Sequence, residues 1–323
     1  MFNRDAKKKM RFSDFLSGDY ARDYINQDTP YAEQTERASA LIREAEYILI
    51  GAGAGMSTAA GAEYGGKFFE EHFAEFQKIY GKGPYMQDMY SAGFYPFPNQ
   101  ESKWGYWSRQ ALLAGADLDV TPLHKTLLEA LADKKIFLLS TNADHQFEKA
   151  GLPAEQVFNT QGSYNLIQCR RGCHPRTYNA VELFRQMEKE RKDGRIPSEL
   201  VPKCPVCGGD MAMNLRVDND FVEDENWHAA EDRFSQFLSV CKDRKTVLLE
   251  LGVGFNTPTI IRFPFEKLAR EHENISLVRL SRSKAMVPAS LGDRAIGINA
   301  DMAQSITDIA ARLRKTEASE AES

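Results

Sequence analysis

The sequence predicts an α/β fold: a doubly wound parallel sheet with an inserted zinc ribbon and a small helical module. Three observations lead there. Strand-like runs recur at 47–50, 136–140, 247–251 and 276–281, and they are largely continuous apolar runs rather than alternating ones, as in parallel strands covered on both faces. The first run passes without a break into Gly51-Ala52-Gly53-Ala54-Gly55-Met56-Ser57-Thr58. Two short cysteine pairs, Cys169-x3-Cys173 and Cys204-x2-Cys207, stand between the second and third runs.

Taken in order, residues 1–30 read as an N-terminal arm, whose basic run Lys7-Lys8-Lys9-Met10-Arg11 is a solvated segment rather than a binding patch. Residues 31–66, 108–162 and 215–315 make the sheet domain, with Thr121 and Pro122 as N-cap and first turn of a helix through Leu131 and a last helix over 302–313. Residues 67–107 form the helical module: Phe68, Phe69, Phe73 and Phe76 read as one amphipathic helix, most aromatics of 64–107 as its packing, and the Gly83-Pro84 and Pro96-Phe97-Pro98 turns as a possible lid. Residues 163–214 hold the cysteines, with a helical stripe of Val181, Phe184 and Met187, and Cys241 reads as a buried helix cysteine. The tail 316–323 has nothing to bury and is expected to be disordered.

Composition narrows the function. With 41 basic and 46 acidic residues the net charge is -5, which argues against nucleic acid as the main partner. No apolar stretch approaches the roughly 18 residues of a membrane span and no signal-peptide centre opens the chain, so a cytoplasmic protein without a membrane partner is expected.

A strand feeding a glycine turn is a phosphate cradle, because glycine backbones bring their N–H groups close to an anion and the next helix points its positive end there. A dehydrogenase is disfavoured: Met56 or Thr58 falls where the last fingerprint glycine belongs, and no strand ending in an acid follows at about 20 residues. Gly61-x4-Gly66-Lys67 imitates a P-loop by chance, since Phe68 stands in place of the magnesium-binding hydroxyl. The cysteine spacing fits a tetrahedral Zn²⁺ held by Cys169, Cys173, Cys204 and Cys207, a filled and therefore structural site, with His174 a bystander.

Together these motifs resemble the sirtuins, NAD⁺-dependent deacylases of Rossmann-like fold, from about Ala45 to Leu313. Gly53-Ala54-Gly55-Met56-Ser57-Thr58-Ala59-Ala60-Gly61 matches the family's Gly-Ala-Gly-x-Ser loop, and Thr141-Asn142-Ala143-Asp144 its Gln-Asn-x-Asp. Leu251-Gly252-Val253-Gly254 corresponds to its ribose and phosphate loop, and the strand ending at Ser281, before Arg282, to the one reaching the adenosine ribose. Two departures matter more. Ala62-Glu63-Tyr64-Gly65-Gly66 replaces Ile-Pro-Asp-Phe-Arg, and Thr160-Gln161-Gly162 puts Gln161 where the catalytic His stands. Both look like the macrodomain-linked sirtuins, class M, which are protein ADP-ribosyltransferases; Gly252-Val253-Gly254-Phe255-Asn256-Thr257-Pro258 looks like that subgroup too.

The resemblance implies that Asn142 lies near the ribose and Asp144 takes the nicotinamide carboxamide, with Gly53, Ala54, Gly55, Ser57, Gly61, Thr141, Ala143, Gln161, Gly252, Val253, Gly254, Thr257, Ser281 and Arg282 completing the NAD contacts. It also implies an acceptor like the lipoylated H-protein of glycine cleavage, and a separate macrodomain protein as a further partner. A primary amide has no useful basicity, so Gln161 can position but cannot be a general base. His145, beside Asp144, is the substitute to consider for a deacylase, although a surface histidine is the plainer reading. NAD glycohydrolase, deacylase and a non-catalytic NAD or ADP-ribose sensor stay open beside the transferase.

Overall fold

The structure, a computed structural model, describes residues 23–255 and 258–321, with side chains through Arg314. The strands in chain order are β1 (Tyr24–Ile25), β2 (Tyr47–Ala52), β3 (Lys135–Ser140), β4 (Val157–Asn159), β5 (Gly162–Cys169), β6 (Thr177–Asn179), β7 (Met211–Leu215), β8 (Thr246–Leu251), β9 (Ile275–Ser281), β10 (Val287–Pro288) and β11 (Ala295–Asn299). Six of them form one sheet in the order β11-β9-β8-β2-β3-β4. Every pairing within it is parallel.

The continuous apolar runs divide between two cores by strand alternation. Ile48, Ile50, Leu138, Val247, Leu249, Val278 and Ile296 face the helices Tyr31–Glu44, Pro122–Ala130 and Met302–Ala321. Leu49, Phe137, Leu139, Leu248, Leu277 and Ala295 face the helices Glu225–Cys241 and Arg262–Glu271. Each such side chain contributes about 1.5–3 kcal/mol on burial, so both faces need apolar residues and the strands cannot alternate in polarity. Cys241 is fully buried in the second of these layers, as its sequence context implies.

Beside the sheet, the aromatic segment packs on itself. Phe69, Phe73, Phe76 and Tyr106 are completely buried, with Phe73 and Phe76 at 5.2 and 5.4 Å from the Tyr106 ring. The single helix expected there is two, Gly66–His72 and Ala74–Tyr80, because the chain bends at Phe73 to turn both phenylalanines inward. A third small sheet, β6-β5-β7, carries the cysteines and buries Phe184 and Met187 of the helix Val181–Glu190 beneath it.

Three further expectations need correction. Thr121 does occupy the N-cap, but its hydroxyl bonds His124 Nδ1 at 2.6 Å instead of capping a backbone N–H. The last helix runs on to Ala321 through most of the tail expected to be disordered, since Lys, Glu and Ala prolong a helix without apolar burial. Residues 23–30 are docked rather than solvated: β1 pairs with β10, and Gln27 exchanges bonds with Ala295 O and Gly297 N across β11. The basic run 7–11 lies outside the described residues. Among the described residues, no helix is long and apolar enough to cross a membrane.

Candidate active site

Ala52 lies level with Ser140 on one side and Leu251 on the other, and Ser140 is level with Asn159. The loops after β2, β3, β4 and β8 therefore leave the sheet along one edge. The winding reverses between β2 and β8, the crevice where open α/β sheets bind their ligands.

Two of these loops are locked backbone to backbone. Gly53 N donates to Leu251 O at 3.0 Å and Gly55 N to Gly252 O at 3.1 Å. Gly252 has φ +62°, and a Cβ there would sit 2.5 Å from Met56 N, so only glycine permits both the conformation and the approach. The helix Ala54–Ala59 begins at this contact, with Ala54 exposed. Gly61, φ +98°, ends the loop, its N–H bonded to Thr58 O.

The β3 loop closes onto the first. Thr141 N bonds Ala52 O at 3.0 Å, and Asn142 Nδ2 donates to Gly53 O at 3.0 Å and Ser57 Oγ at 3.1 Å. Ser57 Oγ in turn donates to Asp144 Oδ2 at 2.5 Å, and Gln146 N to Asp144 Oδ1 at 3.2 Å. Asp144 is buried, and desolvation holds its carboxyl above the usual carboxylate range against the opposing pull of those two bonds. Tyr64 and Tyr164, near Asp144, have their phenols pushed up, chiefly by burial, so both remain neutral. Asn142, Asp144, Ser57 and the glycines thus meet at one place.

The Gln161 turn is tied in through its neighbours. Thr160 N bonds Ser140 O at 3.0 Å and Tyr164 N bonds Ala143 O at 3.1 Å. Gln161 itself contacts only Thr160 Oγ1, at 3.5 Å, and takes Arg216 N on its carbonyl at 3.1 Å. Among the described residues, no basic side chain hydrogen-bonds to its amide. His145 is not a surface histidine: it is half-buried and bonded at both ring nitrogens, to Glu148 and Ser163. Its place is set by the turn after β3, which folds it back against β4 and β5.

Sequence reasoning missed two supports. Arg216 Nε donates to Thr160 O at 3.3 Å, and its guanidinium lies 4.1 Å from the Phe221 ring centroid and 2.5 Å from Glu223. Beneath the Gly252 loop, Glu250, Arg262, Glu266 and Arg279 are all fully buried with balanced charge. Arg279 donates to Glu250 and Glu266, each at 2.7 Å, while Arg262 Nη2 reaches Glu250 at 3.0 Å and Val253 O at 3.1 Å. Two acids and two bases in one buried set avoid the penalty of a lone charge. Val253 is buried and Gly254 half-buried.

At the sheet's far side the implied contacts are weaker. Ser281 Oγ accepts from Lys284 N at 3.3 Å, and Arg282 is exposed and paired with Asp301 at 3.2 Å rather than turned into the crevice. Thr257 lies outside the described residues, as does Asn256.

The cysteines converge on one point. All four sulfurs lie within 4.8 Å of one another, with Cys169 and Cys207 3.8 Å apart and Cys173 and Cys204 3.6 Å apart. A tetrahedral zinc with Zn–S bonds of about 2.3 Å needs sulfurs about 3.8 Å apart, whereas a disulfide needs about 2.05 Å. The sulfurs fit zinc and leave no open position for water. Turns shape the site: Cys204 N bonds Gly209 O at 2.7 Å and Gly172 N bonds Cys169 O at 3.0 Å. His174 is a bystander to the ligand set, with its Nδ1 3.1 Å from Cys173 Sγ and its Nε2 2.8 Å from the Tyr178 hydroxyl. It stands behind the sulfurs as their neighbour, outside the set that meets at one point.

Comparison with known proteins agrees with this geometry. No protein-family model matches the chain. It is 34% identical over 279 residues to the protein ADP-ribosyltransferase of Staphylococcus aureus (strain Mu50), covering 85% of this chain and 87% of that protein. It is 30% identical over 282 residues to a probable bifunctional ADP-ribose hydrolase/ADP-ribosyltransferase of Fusarium oxysporum f. sp. cubense, covering 80% of this chain but 45% of that protein. Among solved structures, a Sir2 homologue in complex with NAD superposes with a TM-score of 0.54 at 14% identity, covering 92% of this chain and 98% of the other. A sirtuin solved to explain substrate affinity gives 0.53 at 17%, covering 86% and 96%. Those structural likenesses carry the fold.

Proposed function

We propose, from the premise that the chain belongs to the protein ADP-ribosyltransferases built on the sirtuin fold, that it transfers ADP-ribose from NAD⁺ to a protein side chain and releases nicotinamide. The observation that carries the choice of transfer over deacylation is the surroundings of Gln161: among the described residues no imidazole or carboxylate hydrogen-bonds to it, and its own amide is no base.

In the proposed reaction the bond from the ribose anomeric carbon to the nicotinamide nitrogen breaks, and its electron pair leaves with nicotinamide. An acceptor oxygen then supplies the pair for the new bond to that carbon. Asn142 orients the ribose, Asp144 and Ser57 hold the carboxamide side, and the Gly53 and Gly252 loops, locked to each other through Gly55 N, frame the phosphate side. An acidic acceptor is already ionised at neutral pH and needs no base, so the loss of histidine at this position is tolerable. Deacylation is different. A ribose hydroxyl must lose a proton before it attacks, and the missing base is worth about 10²- to 10⁴-fold.

The acceptor we propose is a lipoylated carrier of the H-protein type, and the further partner a separate macrodomain protein. In support of the latter, one relative is named for both ADP-ribose hydrolase and ADP-ribosyltransferase, and this chain spans less than half of it. The expected result for acetyl-lysine peptides is NAD⁺-dependent deacetylation that is absent or barely measurable. Robust deacetylation by the unmodified protein would contradict the reading and make His145 the base to test.

A further inference from the structure

We propose that His145 is a positioning residue of this site: through Ser163 on one side and Glu148 on the other, it fixes the Gln161 turn against the Asn142–Asp144 loop and so favours a seated acceptor over water. The inference rests on the transferase reading and deepens it.

His145 follows Asp144 directly and is held at φ +57°, a left-handed conformation that a residue with a Cβ adopts only at a steric cost. Its side chain spans the gap between two loops. Nε2 lies 2.6 Å from Ser163 Oγ, two residues beyond Gln161, and Nδ1 lies 2.8 Å from Glu148 Oε1. Asn159, at the end of β4, donates Nδ2 to the same Glu148 oxygen at 2.7 Å. The four residues come from the helix Gln146–Lys149 and its N-terminal turn, from β4 and from β5.

Counting hydrogens fixes the direction of the chain. An ionised carboxylate only accepts, so the proton between His145 and Glu148 belongs to Nδ1. In the neutral imidazole Nε2 is then an acceptor, to which the Ser163 hydroxyl donates. Ser163 Oγ meanwhile accepts from Asn165 N at 3.0 Å, which fills its place in β5 and leaves it buried with its bonds made. Burial acts to raise the Glu148 carboxyl, but the His145 bond foremost, with its own backbone N–H and Asn159, brings it below its ordinary value, consistent with an ionised end to the relay.

This relay matters because Gln161 is held so loosely itself. Its side chain makes one contact at 3.5 Å, so its position follows from Thr160, Tyr164 and Ser163. Releasing Ser163 from His145 leaves the turn on its backbone bonds, the Thr160 hydroxyl bond to Ser140 O and the Arg216 contact to Thr160 O. A turn free to move admits water to the reacting carbon and misaligns the acceptor, an effect that costs rate far more than cofactor affinity.

Two substitutions separate this from a folding defect. His145→Asn removes the relay but keeps a residue type that tolerates the left-handed backbone, and Ser163→Ala removes one hydroxyl. With lipoylated H-type carrier as acceptor, each is expected to lower kcat for transfer about 10- to 100-fold, to change KM for NAD⁺ less than about 3-fold, and to raise the share of free ADP-ribose among the products. ¹⁵N-histidine spectra of the wild-type protein should show His145 protonated on Nδ1. An Nε2–H tautomer, or kcat and product partition unchanged in both variants, would overturn the proposal. Nicotinamide release is read alongside, so if the carrier receives no ADP-ribose from wild-type protein the transferase reading fails visibly, while the tautomer and kcat for nicotinamide release still decide the role of His145.

Discussion

Asn142→Ala is expected to lower ADP-ribosyl transfer about 10²- to 10³-fold, the usual loss when one preorganised polar group is removed from a reacting centre. The structure gives a reason beyond the resemblance. Asn142 Nδ2 bridges Gly53 O and Ser57 Oγ, and Ser57 in turn holds Asp144. Removing the amide therefore disturbs the ribose side and the nicotinamide side together. NAD⁺ affinity should fall much less, because the Gly53 and Gly252 loops stay joined by Gly53 N to Leu251 O and Gly55 N to Gly252 O, neither of which involves Asn142. Single-turnover transfer with labelled NAD⁺, beside calorimetric NAD⁺ binding, checks both halves. Labelled ADP-ribose transferred at the wild-type rate by the alanine variant would remove Asn142 from the reacting centre.

Cys204→Ser or Cys169→Ser is expected to abolish stoichiometric zinc and to give insoluble or poorly folded protein. Structural zinc sites contribute apparent binding energies of about 10–16 kcal/mol to folding, as much as the whole stability of a typical domain. The damage should spread because the module is welded to its surroundings. Arg191, on the helix side of the ribbon, pairs with Glu75 at 3.1 Å, and Arg109 pairs with Glu188 at 3.0 Å, both across to the helical module. Elemental analysis of the reduced, unchelated wild-type protein should find one zinc per chain. Its absence there would rule the metal out, whatever the variants do.

Much of this architecture was legible because burial on both sheet faces leaves a coarse mark. A run such as Val247–Leu249 inside Thr246–Leu251 is apolar on both faces, and the strand's end can be read to within a residue or so. β4 and β11 left no such mark, being three residues long in one case and interrupted by glycine in the other. The cysteine cluster was legible for another reason: its ligands are near one another in sequence, and the turn glycines sit beside them. The His145 relay and the Arg216 contacts were not, since Ser163 and Thr160 reach them only once β4 lies beside β3 and β7 beside β5. One signal could have been used. Glu250 and Arg279 are charges inside otherwise apolar strands, which cannot be buried alone and so announce partners such as Arg262 and Glu266. Arg282, by contrast, came from the resemblance alone, and the chain turns it outward to Asp301.

The central claim is that this site transfers ADP-ribose and guards its reacting carbon from water until an acceptor is seated. The most direct measurement is the rate of nicotinamide release from labelled NAD⁺ by the wild-type protein, alone, with unlipoylated H-type carrier and with the lipoylated carrier, counting label on the carrier in each case. Slow release alone, a rise with the lipoylated carrier and label recovered on it in step with nicotinamide is the predicted result. Rapid release that no acceptor changes, with the label recovered as free ADP-ribose, would contradict transfer and identify a glycohydrolase.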